Sequence, residues 1–255
     1  MADLLTVDIA DGVAVLTLND PGRRNALTSP LVAEIVAAVA EVEQPSSGVA
    51  AIVVTGAAPA FCAGADLSDL GASRDSRSTG LRGIYEGFLA VSRSPLLTIA
   101  AVNGAAVGAG MNLALGCDIR IASTRAKFDT RFLQLGLHPG GGHTWMLQRI
   151  VGQQAAMAML LGGQIIDGTE AERIGLVYRT VAEDALLETA IDLGRRCAEG
   201  PHELVRRLKA TVQELASEDT HDAAVDRELE TQLWSLDQPD FAERLAAMQK
   251  KITSK

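Results

Sequence analysis

Two segments rich in glycine and alanine determine the architecture of this chain: Ala60-Phe-Cys-Ala-Gly-Ala-Asp-Leu67 and Val102-Asn-Gly-Ala-Ala-Val-Gly-Ala-Gly-Met-Asn-Leu-Ala-Leu-Gly-Cys-Asp118. Each follows a β-branched run typical of a buried strand, residues 51–55 before the first and 98–102 before the second. Small residues after such a strand let the chain turn and leave backbone N–H groups without partners. Two of these groups from different loops would form an oxyanion hole, which stabilises a carbonyl oxygen that gains negative charge.

Outside these segments, the sequence predicts strands that alternate with helices. The dipeptide Asp11-Gly12 suits a tight turn and predicts a hairpin of strands 4–10 and 13–19. Ser29 is the expected cap of the helix that follows, because the proline after it fits the first turn. Alternation of this kind predicts an α/β fold with a mostly parallel sheet. Further predicted elements are strands 49–55, 98–102 and 117–122 and helices over 81–91 and from residue 108 onward.

Two shorter patterns complete the assignment of the core. The polar run between Gly71 and Gly80 predicts a mobile loop. Thr169-Glu-Ala-Glu172 matches a capping box, which predicts a short helix before a strand over 176–181. From about residue 183 onward, the pattern is helical only.

The last part of the chain, residues 201–255, is predicted to be a helical lobe attached to a core of residues 1–200. A lobe of this size cannot bury all of its own apolar side chains. We therefore expect it to dock on the core or on a neighbouring subunit. The apolar side chains concerned are Leu229, Leu233, Leu236, Leu245 and Met248.

Composition and charge restrict the class of protein. The chain has 255 residues, 47% of them hydrophobic, and a net charge of -9. A sizeable core is therefore possible, and an acidic protein attracts neither nucleic acid nor an anionic membrane surface. No apolar run approaches the roughly 20 residues of a membrane span, and the first residues lack the positive charge of a signal peptide. We expect a cytoplasmic protein.

The three cysteines, Cys62, Cys117 and Cys197, predict neither a disulfide framework nor a metal site, because their number is odd and their spacing is wide. We expect reduced thiols. Cys62 lies in the first glycine-rich loop, but no histidine is near it in the sequence. A small buried filler is therefore expected at Cys62 rather than a nucleophile.

Together with four further stretches, the two segments resemble the crotonase superfamily, the enoyl-CoA hydratase/isomerase family. The resemblance follows the family's order over the whole chain. It implies a crotonase-like spiral of repeated strand-strand-helix units and a C-terminal helical lobe that builds a homotrimer or a dimer of trimers. It also implies an acyl-CoA thioester as substrate, with no separate cofactor. The further stretches are Asp20-Pro-Gly-Arg-Arg-Asn-Ala-Leu27, Leu135-Gly-Leu-His-Pro-Gly-Gly-Gly142, Ala171-Glu-Arg-Ile-Gly-Leu-Val177 and Asp240-Phe-Ala-Glu-Arg-Leu-Ala-Ala-Met-Gln-Lys-Lys251.

For the reaction, the resemblance implies an oxyanion hole made by the backbone N–H groups of Ala65 and Ala109. Hydratases of the family add water with two glutamates, whose positions here hold Asn112 and Phe132. Neither side chain transfers a proton at neutral pH, so hydration by the usual route should be slow or absent. Some relatives carry an aspartate at the position of Gly140, which offers no side chain here either.

His138 is the candidate replacement acid or base, because the family usually has an apolar residue there and an imidazole titrates near neutral pH. A structural, hydrogen-bonding role for His138 is the alternative. His143 and Trp145 follow at the start of the next helix and are expected to face solvent or a neighbouring subunit. Asp129 and Arg131 lie close by in the sequence and are expected to form an exposed ion pair.

Contacts with CoA also follow from the resemblance. The family holds the nucleotide end with guanidinium groups, which suit phosphate, with small residues of the first loop and with a lysine of the terminal helix. Asp66 is expected to brace its loop by accepting backbone N–H bonds. For the basic side chains, a solvated surface charge is the alternative. The expected substrate and CoA contacts are Arg23, Arg24, Ala26, Ala63, Asp66, Leu67, Gly108, Pro139, Gly140 and Lys251.

Three functions remain open on the sequence. The first is an enzyme of hydratase/isomerase type that moves protons with His138 or with a water held by Asn112. The second is acyl-CoA decarboxylation, which requires the oxyanion hole and one proton donor. The third is a non-catalytic acyl-CoA-binding protein. The apolar residues Met111, Phe132 and Leu133 favour a dry pocket for a long or branched acyl chain.

Overall fold

The computed structural model describes residues 3–253 and has a mixed α/β architecture. Within these residues, ten strands and ten α-helices are arranged along the chain. The strands are β1 (Leu5–Ala10), β2 (Val13–Leu18), β3 (Ala51–Gly56), β4 (Ala60–Cys62), β5 (Leu97–Val102), β6 (Ala105–Val107), β7 (Ile119–Ser123), β8 (Lys127–Asp129), β9 (Ile166–Asp167) and β10 (Arg179–Val181). The helices are α1 (Ser29–Val42), α2 (Leu67–Ser76), α3 (Ser78–Arg93), α4 (Ala109–Gly116), α5 (His143–Leu160), α6 (Gly168–Arg173), α7 (Leu186–Ala198), α8 (His202–Leu215), α9 (His221–Leu236) and α10 (Pro239–Thr253).

Two sheets hold the strands. Six strands form the larger sheet in the order β1-β2-β3-β5-β7-β10, in which β1 pairs antiparallel with β2 and the other pairs are parallel. Four short strands form the smaller sheet in the order β4-β6-β8-β9. The chain therefore moves from the larger to the smaller sheet at β3 to β4, β5 to β6 and β7 to β8, and helices lead it back. This repeat confirms the strand-strand-helix spiral that the sequence predicts.

Apolar strands and helix faces build the core of the spiral. β3 is buried along its whole length, as expected of a central parallel strand covered on both faces. α1 turns Leu31, Ile35 and Val39 inward at helical spacing. Burial of an aliphatic side chain of this size contributes about 2 kcal/mol. The packed core gives the loops at the strand ends a firm support.

The structure corrects the cap of α1, which is Thr28 and not Ser29. The Thr28 hydroxyl accepts the N–H of Leu31 at 3.4 Å, and Ser29 is already the first helical residue. Ser29 has another role, because its N–H and its hydroxyl both donate to the carboxylate of Asp69 at 2.9 Å. The start of α1 is thereby tied to the start of α2.

Other element boundaries also differ from the prediction. α6 has no capping box at Thr169, because the helix begins earlier and the carboxylate of Asp167 accepts the N–H of Glu170 at 2.9 Å. Glu172 instead accepts the N–H of Thr180 at 2.8 Å, at the strand that follows. The strands β3, β7 and β10 each begin two or three residues later than predicted.

The predicted mobile loop at residues 71–80 is wrong, because these residues belong to α2 and to the first turn of α3. Asp66 caps α2 with its carboxylate, and Arg77, with a φ of 52°, separates the two helices. Glycine and serine are weak helix formers, which is why this stretch resembles a loop. Capping and the packing of Phe88 and its neighbours on α3 outweigh that weak propensity.

The chain divides into two compact units, one that ends at Ala198 and one that begins at Glu199, two residues from the predicted boundary. The first unit contains both sheets and helices α1 to α7, and the second contains α8 to α10. None of the described helices is both long and apolar enough to cross a membrane. Large apolar side chains that stay exposed on the second unit include Val212, Leu229, Leu233, Leu236, Leu245, Met248 and Ile252.

Candidate active site

Three parallel strands of the smaller sheet carry the loops of the candidate site. β4 pairs in parallel with β6, and β6 pairs in parallel with β8. The carboxyl ends of parallel strands meet at one edge of a sheet, where ligands of α/β proteins commonly bind. The segments that follow these strands, residues 63–66, 108–112 and 130–132, therefore lie side by side.

The backbone N–H groups of Ala65 and Ala109 are the two donors expected from the sequence. Ala65 forms a parallel bridge with Leu27, in which Leu27 donates to the Gly64 oxygen at 2.8 Å and Asp66 donates to the Leu27 oxygen at 3.2 Å. This pairing uses the carbonyl oxygen of Gly64 and the N–H of Asp66, the groups on either side of Ala65. Ala109 is the first residue of α4, where N–H groups lack a partner inside the helix. Among the described residues, neither N–H makes a hydrogen bond.

Glycines set how closely the two loops approach. A Cβ atom on Gly64 would lie 3.6 Å from the Ala109 nitrogen and 2.7 Å from the carbonyl oxygen of Val107. A Cβ atom on Gly110 would lie 2.2 Å from the carbonyl oxygen of Cys62. Both distances to oxygen are too short for a side chain, and the φ of 102° at Gly64 also favours glycine. The backbones that carry the two donors are therefore in direct contact.

A cavity of about 550 Å³ opens at this edge of the smaller sheet. Its volume lies in the range usual for sites that bind small molecules. One part of the wall is apolar and is formed by Leu70, Leu81, Ile84, Leu135 and Leu137. The residues expected from the sequence that line the cavity are Arg23, Ala26, Ala63, Ala65, Asp66, Leu67, Gly108, Ala109, Asn112, Phe132, His138 and Gly140.

Three of the expected site residues do not line the cavity. Arg24 is exposed, with a φ of 53°, and its carbonyl oxygen accepts the N–H of Ala63 at 3.0 Å. Pro139 is half-buried beside the cavity wall and contributes its carbonyl oxygen to a bond with His138. Lys251 lies on α10, in the second unit. Contacts of these three residues with CoA stay predictions.

Asn112 lies on the first turn of α4, and its side-chain amide is hydrogen-bonded at both ends. Its Nδ2 donates to the Gly140 oxygen at 3.0 Å, and its Oδ1 lies 2.5 Å from His143 Nδ1. A carbonyl oxygen only accepts, so the end of the amide that faces Gly140 must be the NH2 group. The amide oxygen then faces His143, and His143 must carry its proton on Nδ1.

His143 is fully buried, which corrects the expectation that it faces solvent or another subunit. Its Nε2 has no hydrogen-bond partner among the described residues, and its ring meets Phe132 edge to face, with centroids 4.9 Å apart. Burial lowers the pKa of the imidazole to about 4. The ring is therefore neutral near pH 7. Asn112, whose position the resemblance matches to a hydratase glutamate, therefore forms a neutral pair with His143.

Two further side chains bring polar groups to the cavity near Gly140. His138 is exposed, and its Nδ1 lies 2.7 Å from the Pro139 oxygen. Because that oxygen only accepts, the neutral ring carries its proton on Nδ1 and keeps a lone pair on Nε2. Tyr85, on α3, is absent from the sequence prediction. A Cβ atom on Gly140 would lie 2.2 Å from the Tyr85 hydroxyl oxygen, so this hydroxyl occupies the space that an aspartate side chain would need.

The predicted exposed ion pair of Asp129 and Arg131 is half buried. Asp129 is 4% exposed, whereas Arg131 lines the cavity. Nε of Arg131 donates to Oδ2 of Asp129 at 2.8 Å, and the NH2 group of Arg131 donates to the same oxygen. The backbone N–H of Arg131 donates to Oδ1 of Asp129 at 2.9 Å. The carbonyl of Asp129 also accepts the N–H of Gly108 at 2.9 Å. The pair therefore supports the loop that opens α4.

Asp66 and Cys62 have the structural roles that the sequence predicts. The Asp66 carboxylate accepts the Ser68 hydroxyl and the N–H groups of Ser68 and Asp69, and these bonds, the hydroxyl first, lower the pKa of Asp66. Burial raises the pKa of the Cys62 thiol to about 12, so it stays protonated. Within residues 3–253, no group of three histidine, cysteine or acidic side chains is placed to hold a metal ion.

Known proteins are similar to this chain in both sequence and architecture. The family model described as enoyl-CoA hydratase/isomerase matches residues 8–251. A probable enoyl-CoA hydratase of Mycobacterium tuberculosis, EchA14, is 51% identical over 252 residues, which cover 96% of each chain. The 1,2-epoxyphenylacetyl-CoA isomerase of Escherichia coli K12 is 32% identical over 252 residues, 97% of this chain and 95% of that one. A crystal structure of an enoyl-CoA hydratase from Bacillus anthracis matches with a TM-score of 0.91 and 29% identity, covering 98% of this chain and 97% of that one.

The spiral of two sheets, with paired donor loops at one edge of the smaller sheet, is the crotonase fold. The chain belongs to the enoyl-CoA hydratase/isomerase family. Its relatives are named both as hydratases and as an isomerase, so the side chains around the donors must decide the reaction.

Proposed function

We propose that the protein binds acyl-CoA thioesters and stabilises a thioester enolate between the N–H groups of Ala65 and Ala109. The observation that carries this proposal is that both groups line one cavity of about 550 Å³ and make no other hydrogen bond among the described residues. A thioester oxygen placed there would accept both bonds, and one such donor contributes about a hundred- to a thousandfold in rate. CoA is part of the substrate, and no separate cofactor enters the proposal.

The reaction that we propose is proton transfer of the isomerase or lyase type, with His138 as the base. The C–H bond at the α carbon breaks, its electron pair moves into the enolate, and the proton goes to Nε2 of His138. Return of the proton to another carbon of the enolate system completes an isomerisation. The place of His138 on the cavity wall and the lone pair on its Nε2 support this role.

Hydration by two carboxylates is not part of the proposal. The Asn112 amide already bonds Gly140 and His143, so its oxygen is engaged and a water held by Asn112 is disfavoured. Phe132 covers the His143 ring and brings no polar group to the cavity. Two missing acid-base groups remove about a hundred- to ten-thousandfold each from the usual hydration rate.

Exchange of α protons in deuterated water tests the enolate directly. Butyryl-CoA is saturated, so it can form the enolate but cannot be hydrated. We expect deuterium to enter its α position, measured by mass spectrometry of the recovered thioester. His138→Gln should slow this exchange by at least about a hundredfold and leave the affinity measured by calorimetry unchanged. His221→Gln is the matched control, because His221 is an exposed histidine at the start of α9 and does not line the cavity.

A non-catalytic acyl-CoA-binding protein is the second candidate. The neutral and mutually bonded pair of Asn112 and His143 favours it, since this pair offers no base at the position of a hydratase glutamate. Binding of butyryl-CoA without any α exchange would support this candidate and refute the enolate chemistry. Absence of binding at millimolar ligand would refute both.

We further propose that the protein acts in the cytoplasm as a homotrimer or a dimer of trimers. The exposed apolar side chains of α9 and α10 support an interface between subunits, because monomeric proteins rarely expose large contiguous apolar patches. Arg23 and Arg24 are the proposed partners of the CoA phosphates, and Lys251 is a further proposed CoA contact.

A further inference from the structure

We infer that Tyr85 selects acyl groups that carry an oxygen close to the thioester. This inference rests on the proposed function, because it requires an acyl-CoA thioester in the cavity. Tyr85 is half-buried on α3 and lines the cavity. Its hydroxyl has no hydrogen-bond partner among the described residues. The unused hydroxyl is therefore available to a ligand.

Two other polar side chains that line the cavity, Asn112 and Thr130, already have hydrogen-bond partners. The amide of Asn112 bonds Gly140 and His143, and the hydroxyl of Thr130 donates to the Met159 oxygen at 3.0 Å. Leu81 and Ile84, on the same helix as Tyr85, bring apolar side chains to the cavity wall. A hydrogen bond is stronger in apolar surroundings, and an unmatched polar group there is unfavourable. The Tyr85 hydroxyl thus distinguishes an acyl group with an oxygen from a plain hydrocarbon chain.

Gly140 connects the Tyr85 hydroxyl with α4, the helix that begins at Ala109. The Gly140 oxygen accepts the Asn112 amide at 3.0 Å, and Asn112 lies three residues after Ala109, about 4.5 Å along the α4 axis. The same glycine contacts the Tyr85 hydroxyl. The Tyr85 hydroxyl and the Asn112 amide thus meet at Gly140, and an oxygen on the third acyl carbon is the inferred partner of this hydroxyl.

The orientation of Tyr85 is fixed by its neighbour on the same helix. Phe88 is 1% exposed, and the centroids of the two rings are 5.5 Å apart. Gly140 leaves room for the hydroxyl because it has no Cβ atom. A polar group held in place in this way loses little entropy when a ligand binds. The substrate class that fits is a 3-hydroxy- or 3-oxoacyl-CoA, or an acyl-CoA with another oxygen near the thioester.

Calorimetry with butyryl-CoA and with each enantiomer of 3-hydroxybutyryl-CoA tests the inference. We expect the protein to bind the better enantiomer about two- to twelvefold more tightly than butyryl-CoA, the range of one net hydrogen bond. Tyr85→Phe keeps the ring and its contact with Phe88, so it should bind butyryl-CoA as before and lose the preference. His221→Gln, which changes an exposed histidine outside the cavity lining, should keep the preference.

Gly140→Ala provides a second variant, because its new methyl group would collide with the Tyr85 hydroxyl and displace it. This variant should lose the preference even if Tyr85→Phe folds poorly. No preference in the unchanged protein, a preference that survives Tyr85→Phe, or an equal loss for both ligands would each overturn the inference. Failure of the unchanged protein to bind either thioester would instead refute the proposed function itself.

Discussion

Acidification should destabilise the folded protein through His143. Its pKa is about 4 in the folded protein, against 6.5 for an ordinary histidine. Above pH 6.5 the imidazole is neutral in both states, and its contribution to stability is complete. As the pH falls from 6.5 towards about 4, the unfolded chain takes up a proton that the buried ring cannot accept, so stability is lost. Between about pH 7.5 and about pH 4.5, the two pKa values give a loss of about 2 to 3 kcal/mol.

Urea unfolding of the protein and of His143→Gln at both pH values isolates this contribution. Glutamine does not titrate, and its amide can still donate to the Asn112 oxygen. Carboxylates titrate in both proteins, so the variant should lose about 2 to 3 kcal/mol less on acidification than the unchanged protein. His138→Gln is the control, since His138 is exposed and its replacement should leave the acid-induced loss as it was. An equal loss in His143→Gln and in the unchanged protein would refute the reasoning. All samples need one protein concentration, because subunit association shifts apparent stability.

Three further predictions concern the donor loops, the missing carboxylates and the assembly. Asn112→Glu should not restore hydration of crotonyl-CoA, because Phe132 still supplies no second carboxyl group. The assay measures the loss of enoyl absorbance, and a rate typical of hydratases would contradict this prediction. Gly110→Ala should lower the free energy of unfolding by about 1–3 kcal/mol, because the new methyl group meets the Cys62 carbonyl, and it should weaken binding of acyl-CoA in calorimetry. Gly71→Ala is the control and should be neutral or slightly stabilising, because the space around Gly71 is open. Light scattering should give the mass of a trimer or hexamer, and a monomer at micromolar concentration would exclude that assembly.

The donor loops were predictable because their signal is local. A β-branched run followed by small residues indicates a strand end, and the parallel pairing of β4 with β6 then brings Ala65 and Ala109 together. Local signals also predict the hairpin of β1 and β2, whose register follows from the turn at Asp11-Gly12. Where the signal was local but ambiguous, the prediction failed: Thr28 and Ser29 can both cap a helix, and only the geometry of the chain chooses Thr28.

The partners of Asn112 could not be predicted, because they come from distant parts of the chain. His143 is 31 residues away from Asn112, and Tyr85 reaches Gly140 from another helix. Nothing in the sequence around His143 indicates burial: it follows three glycines and opens a helix, a position usually exposed. One general rule points to the bond between Asn112 and His143: a buried asparagine requires a hydrogen-bond partner for its oxygen, and a histidine can provide one.

The proposed oxyanion donors are main-chain groups held by strand pairing and by glycines, and this has a consequence for how the chemistry of the site can change over evolution or in the laboratory. Exchanging the side chains of Asn112, Phe132, Tyr85 and His138 removes none of the main-chain and glycine contacts that hold the N–H groups of Ala65 and Ala109. Under the proposed function, a library that varies these four positions therefore samples different reactions on one fixed pair of N–H donors. In such a library, changes at the four positions alter the reaction, whereas changes at Gly64 or Gly110 disturb the donor pair itself.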